Sequence, residues 1–358
     1  MPSSTVPDPA RDAAVRARAL GTLSGLAAAV ALLAVLPACG GGGGGDVPAA
    51  APPAPVPSPA PAPAGPIAAQ MTVPTPVGYD AERLAAFDRL NEIRLSAGLG
   101  MLAQSTRMDQ AAQAHAEWMV ANDSFTHDEQ PGTPGFTGAD WAKRDQSFGY
   151  VPVEGAEVLS TTSVGAAAGV DGLVNAVYHR AALLAFEPDD VGIGWTAGSA
   201  ANVTMPLVID LTRPGTDATR GMGQMAQASI HGVSVWPLDG AEGVPVRMGQ
   251  EGPDPVPVQD VSTLGTPASI MIDESRTILA QSFVMRNHVT GVVVATQTLT
   301  YGNDPNFLVP HSFIALVPLA PLAPATRYDV AFSGSTTDFG STTQVPLART
   351  WSFTTGTP

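Results

Sequence analysis

The chain has 358 residues, enough for about two ordinary domains, and its 37 glycines and 34 prolines indicate that part of it is not globular. Seventeen Lys and Arg against 32 Asp and Glu leave a net charge of -15. No dense basic face can form from so few cations, which argues against nucleic acid as a partner. Acidity of this size suits solubility and repels anionic surfaces without choosing a fold.

Arg11, Arg16 and Arg18 precede an apolar run from Leu20 to Leu36, which ends in LPAC with the single cysteine, Cys39. A basic start, an apolar run and a small residue before a cleavage point form a signal peptide pattern. A retained anchor helix is the alternative, because the run is nearly long enough to span a bilayer. The segment resembles a bacterial lipoprotein signal, with Pro37 an unusual residue inside its lipobox. That resemblance implies removal of residues 1–38 and acylation of Cys39, which would hold the protein on the membrane. Gly40 rather than an aspartate after the cysteine favours the outer membrane in an organism that has one. Six glycines and a Pro, Ala and Val tract follow, so residues 39–76 are predicted to be a disordered tether. Roughly 25 residues of polyproline-like chain at ~3.1 Å each would hold the next domain about 80 Å from the bilayer. With Cys39 acylated no thiol remains for a disulfide, and stability must come from apolar burial.

The first folded region is predicted over residues 77–215. Asp80 caps a helix in which Leu84, Phe87, Leu90 and Ile93 recur at helical spacing, ended by Gly98 and Gly100. Ser105 or Thr106 caps a second, with Met108, Ala112, His115 and Met119 along one face, closing near Asn122. His115 reads as a helix residue making a structural hydrogen bond. A loop with Phe125 and His127 leads to a short helix around Trp141 to Phe148. Another helix is predicted from about Gly169 to Leu184 and carries His179. Val191 to Trp195 and Val203 to Leu211 read as strands.

The chemistry-bearing residues in this region are His127 in FTHD, Glu157 in GAEV and His179 in YHRAALL. There is no HExxH and no GxSxG. Two imidazoles suit zinc or a similar divalent ion, and a carboxylate can complete the shell or hold a water. A metal-bound water with Glu157 as base would be a hydrolytic arrangement. The same three residues can also form a buried polar network that pins loops to a helix. Binding of a metal or ligand, a structural network and hydrolysis all remain open on these residues alone. Arg180 reads as pairing with an acid or capping helix carbonyls.

LNEIRLSAGL (Leu90 to Leu99), AAQAHAEWM (Ala111 to Met119), FTH, GAE, YHRAALL and VGIGW follow, in order, the pattern of the CAP superfamily of cysteine-rich secretory, antigen 5 and pathogenesis-related proteins. Residues 79–212 resemble its bacterial branch. The resemblance implies an α/β/α sandwich with a central antiparallel sheet, and a cleft of two histidines and two acidic residues, sometimes around a divalent metal. By position His127 and His179 match the histidines, the candidate metal ligands, and Glu157 matches the first glutamate. Val158 stands where relatives have an asparagine. The second glutamate has no counterpart; Asp171, eight residues before His179, is the only acid between Glu157 and His179 and becomes the fourth candidate. Glu154 competes with Glu157. The implied function is a ligand-binding or interaction protein of the cell envelope, whose partner is a small ligand, lipid, peptide or wall component. The alternatives are an envelope hydrolase acting on peptide or peptidoglycan bonds, and a structural scaffold.

From residue 228 to 358 the composition turns to Val, Thr, Pro and Gly. Seven strand-sized runs, Ile230 to Trp236, Ala268 to Ile272, Ile278 to Met285, Val292 to Thr300, Phe313 to Val317, Tyr328 to Phe332 and Thr350 to Thr354, predict an all-β sandwich. LAPATRY, Leu322 to Tyr328, resembles the tyrosine corner of immunoglobulin-like domains. Trp236, Trp351 and Phe353 read as core. His231, His288 and His311 show no metal spacing. The domain reads as a spacer or adhesion module.

Overall fold

The computed structural model describes residues 68–212, 216–217, 227, 232–257 and 259–357. The signal peptide, Cys39, most of the tether and His231 lie outside the described residues.

Helix α1 spans Ala81–Ser96, and Asp80 accepts the Arg83 amide at 2.9 Å. Helix α2 spans Thr106–Ala121 behind Ser105, and helix α3 spans Trp141–Ser147 behind Asp140, whose carboxylate accepts the Lys143 amide at 2.9 Å. Each cap satisfies an amide that the helix cannot bond internally. The single helix predicted from Gly169 to Leu184 is two: α4, Ala166–Val174, and α5, Tyr178–Leu183. The break occurs because the Glu251 carboxylate, more than 70 residues away, takes the amides of Val177, Tyr178 and His179 at 2.8, 2.6 and 3.0 Å. It thereby starts a new helix at a point where apolar periodicity shows no interruption.

Strands β1 (Ala103–Gln104), β3 (Gly155–Thr161), β4 (Asp190–Trp195) and β5 (Pro206–Thr212) form one sheet in the order β1-β4-β5-β3. Its pairs are antiparallel except β1 with β4, which are parallel. A separate two-stranded ribbon pairs β2 (Tyr150–Val151) with β6 (Thr216–Asp217). Alternation along the strands sends side chains to two faces. Val158, Ile193, Leu207, Ile209 and Leu211 join Leu90, Val170, Leu173 and Leu183 on the side of α1, α4 and α5. Leu159 and Val208 join Ala112, Ala116 and Met119 of α2 on the other. The glycines of VGIGW have a steric cause. A Cβ at Gly192 would lie 2.4 Å from Met108, and one at Gly194 would lie 2.2 Å from the Ala112 backbone, so α2 can rest directly on β4.

The C-terminal region is all β. Strands β7 (Ser234–Trp236), β9 (Ala268–Met271), β11 (Thr296–Leu299) and β12 (Phe313–Pro318) make one sheet, in the order β11-β12-β9-β7. Strands β8 (Ala241–Val244), β10 (Arg276–Asn287), β13 (Arg327–Asp338) and β14 (Val345–Thr355) make the other, in the order β10-β13-β14-β8. The seven predicted runs each contain a strand, and β8, which has no apolar alternation, is an addition. Ile270, Ile314 and Leu316 from the first sheet pack with Met285, Val330, Phe332, Trp351 and Phe353 from the second. The Tyr328 hydroxyl accepts the Ala323 amide at 2.9 Å, tying a corner to the strand that follows it.

The opposite face of the first C-terminal sheet is also covered. Met271, Phe313, Ala315 and Val317 belong to the same apolar cluster as Leu173, Leu183 and Leu211. Strand β12 is therefore buried on both faces, which accounts for its unbroken FIALVP. The helical region and the β region share one core and form a single compact unit. The chain entering that unit is already engaged at Gln70, inside the predicted tether: its side chain donates to the carbonyls of Met101 and Asp189, each at 3.3 Å.

Candidate functional site

Strand β3 is one of the two edge strands of the central sheet, and the site is built around it. Glu157 points to the α2 and α3 side of β3, opposite Asp210 of β5 in the strand register. The loop after α2 brings His127 over it, and the His127 Nδ1 lies 2.8 Å from Glu157 Oε1. From α3, the buried Arg144 donates through Nη2 to Glu157 Oε2 at 2.5 Å and through Nη1 to the His127 carbonyl at 2.9 Å. One guanidinium thus fixes both the carboxylate and the loop carrying the imidazole. Burial by itself pushes the Glu157 carboxyl up; the Arg144 charge and the His127 bond outweigh it and hold the group down at about 2.

Behind Glu157 lies a denser acidic cluster. Asp145 and Asp210 are both fully buried, and no amide or guanidinium donates to their carboxyl oxygens. Burial first, and the charge of Glu157 second, push Asp145 up to about 8, against the pull of Arg144. Burial, then Asp145 and Glu157, push Asp210 well above the carboxylate range. One cation cannot keep three buried carboxyls ionised; Glu157, the one in direct contact with it, stays charged and its neighbours hold their protons.

His115 is the structural histidine its helix position suggested. It is completely buried, with Nδ1 at 3.0 Å from Glu129 Oε1 and Nε2 at 2.9 Å from the Thr126 carbonyl. Since a carbonyl can only accept, Nε2 carries a proton. The bond fastens the start of the His127 loop to α2.

His179 reaches the cleft from α5 on the other side of β3. Its Nδ1 lies 3.3 Å from Glu251 Oε1, at an alignment that leaves the nitrogen without a formed hydrogen bond, so the contact is electrostatic. His127 and His179 line one cavity of about 340 Å³ with Glu154, Glu157 and, from the C-terminal region, Glu274 and Leu308. Most of the remaining wall is alanine, valine, leucine and proline. Among the described residues that line it there is no serine, threonine or cysteine.

The structure therefore brings together His127, Glu157 and His179 and sets Glu154 on the same wall. It does not bring in Asp171. That side chain is about half exposed and pairs with Arg89 of α1 at 2.7 Å, because its position on α4 faces α1 and solvent rather than α5. The carboxylate beside His179 is Glu251, which sequence reasoning missed. A single glutamate in a loop of Gly, Pro and Asp carries no periodicity or motif, and its link to His179 exists only in three dimensions. Arg180, buried beside it, donates to the Val174 carbonyl at 2.7 Å, as a helix-capping cation would, and to the Pro267 carbonyl at 2.9 Å.

A divalent ion needs converging ligands, and a catalytic zinc normally has three from the protein. Among the described residues no three His, Cys, Asp or Glu side chains are grouped so as to hold a metal. The Nδ1 atoms of both cleft histidines face carboxylates that are themselves committed, Glu157 to Arg144 and Glu251 to backbone amides. The residues present do not fit a three-ligand centre.

Residues 87–205 match the sequence model of the cysteine-rich secretory protein family, CAP. This stretch is a CAP domain; it holds His127, Glu157 and His179 and ends before Glu251. No curated protein matches the chain. Among solved structures, an extracellular protein containing an SCP domain from Bacillus anthracis strain Ames is 23% identical over 37% of this chain, with a TM-score of 0.31. This chain spans 40% of that protein. An outer surface protein of Borrelia burgdorferi is 17% identical over 36% of this chain and 89% of its own, with a TM-score of 0.30.

Proposed function

We propose that the protein is a lipid-anchored, extracytoplasmic binding protein whose CAP cleft holds a small amphipathic ligand between His127 and His179 without turning it over. The observation that carries this reading is the pair of imidazoles on one largely apolar cavity, each with Nδ1 against a buried carboxylate. At His127 the carboxylate can only accept, so in the neutral ring the proton sits on Nδ1 and Nε2 is an acceptor; we assign the same tautomer to His179, whose Nδ1 faces the Glu251 carboxylate at 3.3 Å. Two such acceptors among alanine and valine suit a hydrogen-bond donor, an amine or alcohol, on a short apolar body, and the acids on the wall favour the amine. A volume of about 340 Å³ is at the small end for ligand sites.

Hydrolysis is less well supported. Glu157, the natural general base, is held at about 2 by Arg144 and has little affinity for a proton near neutrality. Among the described residues the wall supplies no hydroxyl or thiol nucleophile other than the Tyr178 phenol, which is engaged with Asp304 at 2.6 Å. The anchor and location rest on the N-terminal sequence ending at Cys39. The C-terminal sheets, with the Tyr328 corner and the core between them, support an immunoglobulin-like sandwich, and helices on both faces of the central sheet support an α/β/α sandwich.

Titration calorimetry with octylamine and octanoate tests the cleft, alongside turnover assays on a fluorogenic peptide and on peptidoglycan fragments. Octylamine is expected to bind more tightly than octanoate, His127→Ala and His179→Ala to lose that binding while staying folded, and neither turnover substrate to be cleaved. Cleavage that disappears in both alanine variants would establish the hydrolase instead. Loss of folding in both variants, with no binding by the parent protein, would establish the scaffold.

A further inference from the structure

The residues Tyr178, His179 and Arg180 are consecutive on α5, and each is held by a different part of the chain beyond the CAP domain. The Tyr178 hydroxyl donates to Asp304 Oδ1 at 2.6 Å and accepts from Asn306 Nδ2 at 2.9 Å. Arg180 donates to the Pro267 carbonyl at 2.9 Å and to Ser269 Oγ at 3.2 Å. His179 faces Glu251. The Glu251 side chain is fully buried; its two oxygens accept the amides of Val177, Tyr178 and His179, and Oε1 also lies 3.3 Å from the imidazole Nδ1. The helix that presents His179 to the cleft thus owes its start, and the environment of its imidazole, to residues outside the segment that carries the family pattern.

We propose that Glu251 is a positioning residue for His179: it takes the place of the acid that the CAP domain lacks, and so makes the cleft competent only in the presence of the C-terminal region. The inference rests on the binding reading of the cleft and adds how that site is set. A buried carboxylate beside Nδ1 holds the proton there and leaves Nε2 as the acceptor facing the cavity, as partners of this kind do for ligating histidines. Glu157 does the same for His127 from within the CAP domain. The two imidazoles are then matched, one oriented by each half of the molecule.

The test is the tautomer of His179 in the full chain, read from long-range nitrogen to carbon-bound proton correlations after labelling the imidazoles. The chain has six histidines, so His179→Ala is enough to assign the signal. The expected parent spectrum shows His179 with its proton on Nδ1; a proton on Nε2 refutes the proposal without any variant. Glu251→Gln retains the size and removes the charge, and it keeps an acceptor for only part of the helix cap, because Oε1 and Oε2 each accept an amide. It is expected to move His179 toward the Nε2-protonated form, to leave the His127 signal unchanged, and to weaken octylamine binding about 10-fold, the lower end for loss of such a supporting group. Glu154→Gln, a carboxyl on the same wall, is expected to leave the His179 tautomer alone. An unchanged His179 signal in Glu251→Gln overturns the proposal whether or not octylamine binds. A shifted signal in a protein whose parent never binds octylamine keeps Glu251 in its role and rejects the ligand instead.

Discussion

Replacing Arg144 by methionine removes the cation on which the cleft acids depend while roughly preserving side-chain length. Arg144 is fully buried, 2.5 Å from Glu157 and 4.0 Å from Glu129, and also donates to the His127 carbonyl. Removing one partner of a buried pair typically costs ~3 to 5 kcal/mol, because the remaining charge is left without compensation. For a folded unit of this size that lowers Tm by roughly 10 °C. The pH dependence is the sharper signature. In the parent protein Glu157 has a depressed folded value of about 2 against an ordinary 4.5, so its contribution is present above the ordinary value and is lost as pH falls through about 2. Without Arg144 the same buried carboxyl is raised instead, the native state binds more protons than the unfolded one, and stability increases as pH falls from 7 toward 5. Denaturant unfolding at several pH values, followed by tryptophan fluorescence, would show the variant recovering part of its loss at pH 5. A loss under ~1 kcal/mol, unchanged between pH 7 and 5, would refute the assignment of Arg144 as the charge that holds Glu157 ionised.

Asp145→Asn should flatten the stability profile between pH 4 and 8: the parent carboxyl is raised from 3.8 to about 8, so its contribution is complete below the ordinary value and lost as pH rises through about 8. Unfolding midpoints at pH 5 and pH 8 compare the two proteins, and an equally steep decline in the variant contradicts the shift. Asp171→Ala removes only a half-exposed ion pair with Arg89, so a change below ~1 kcal/mol is expected, with octylamine affinity intact; a loss of binding would return Asp171 to the cleft. Cys39→Ala should move the protein from the membrane fraction to the soluble fraction of cells expressing it, and unchanged sedimentation with membranes would reject acylation at that residue.

The legible part of the site was the part built from local signals. His127 and His179 each sit in a short segment whose neighbours suit a loop and a helix, Glu157 stands in GAE, and their order along the chain could be matched without knowing a contact. The proximity of Asp171 to His179 counts only within one continuous helix; the break after Val174 puts His179 on a separate helix, and the Asp171 carboxylate pairs with Arg89. The acid cluster was illegible for a related reason. Asp145 reads as a polar helix residue and Asp210 as an interruption in an apolar strand, and only the folded chain reveals two carboxyls enclosed beside Arg144 and Glu157.

By itself the sequence determined the caps of α1 and α2, the apolar alternation of the strands it predicted, and the acidic character of the chain. These follow from backbone propensity and from periodicity, which act over a few residues. Tertiary structure alone decided that β12 is buried on both faces, that two regions share one core, and that His179 faces a carboxylate from residue 251. Such outcomes depend on which buried charges and apolar faces meet across long separations, and burial fixes their energies only after the chain has folded.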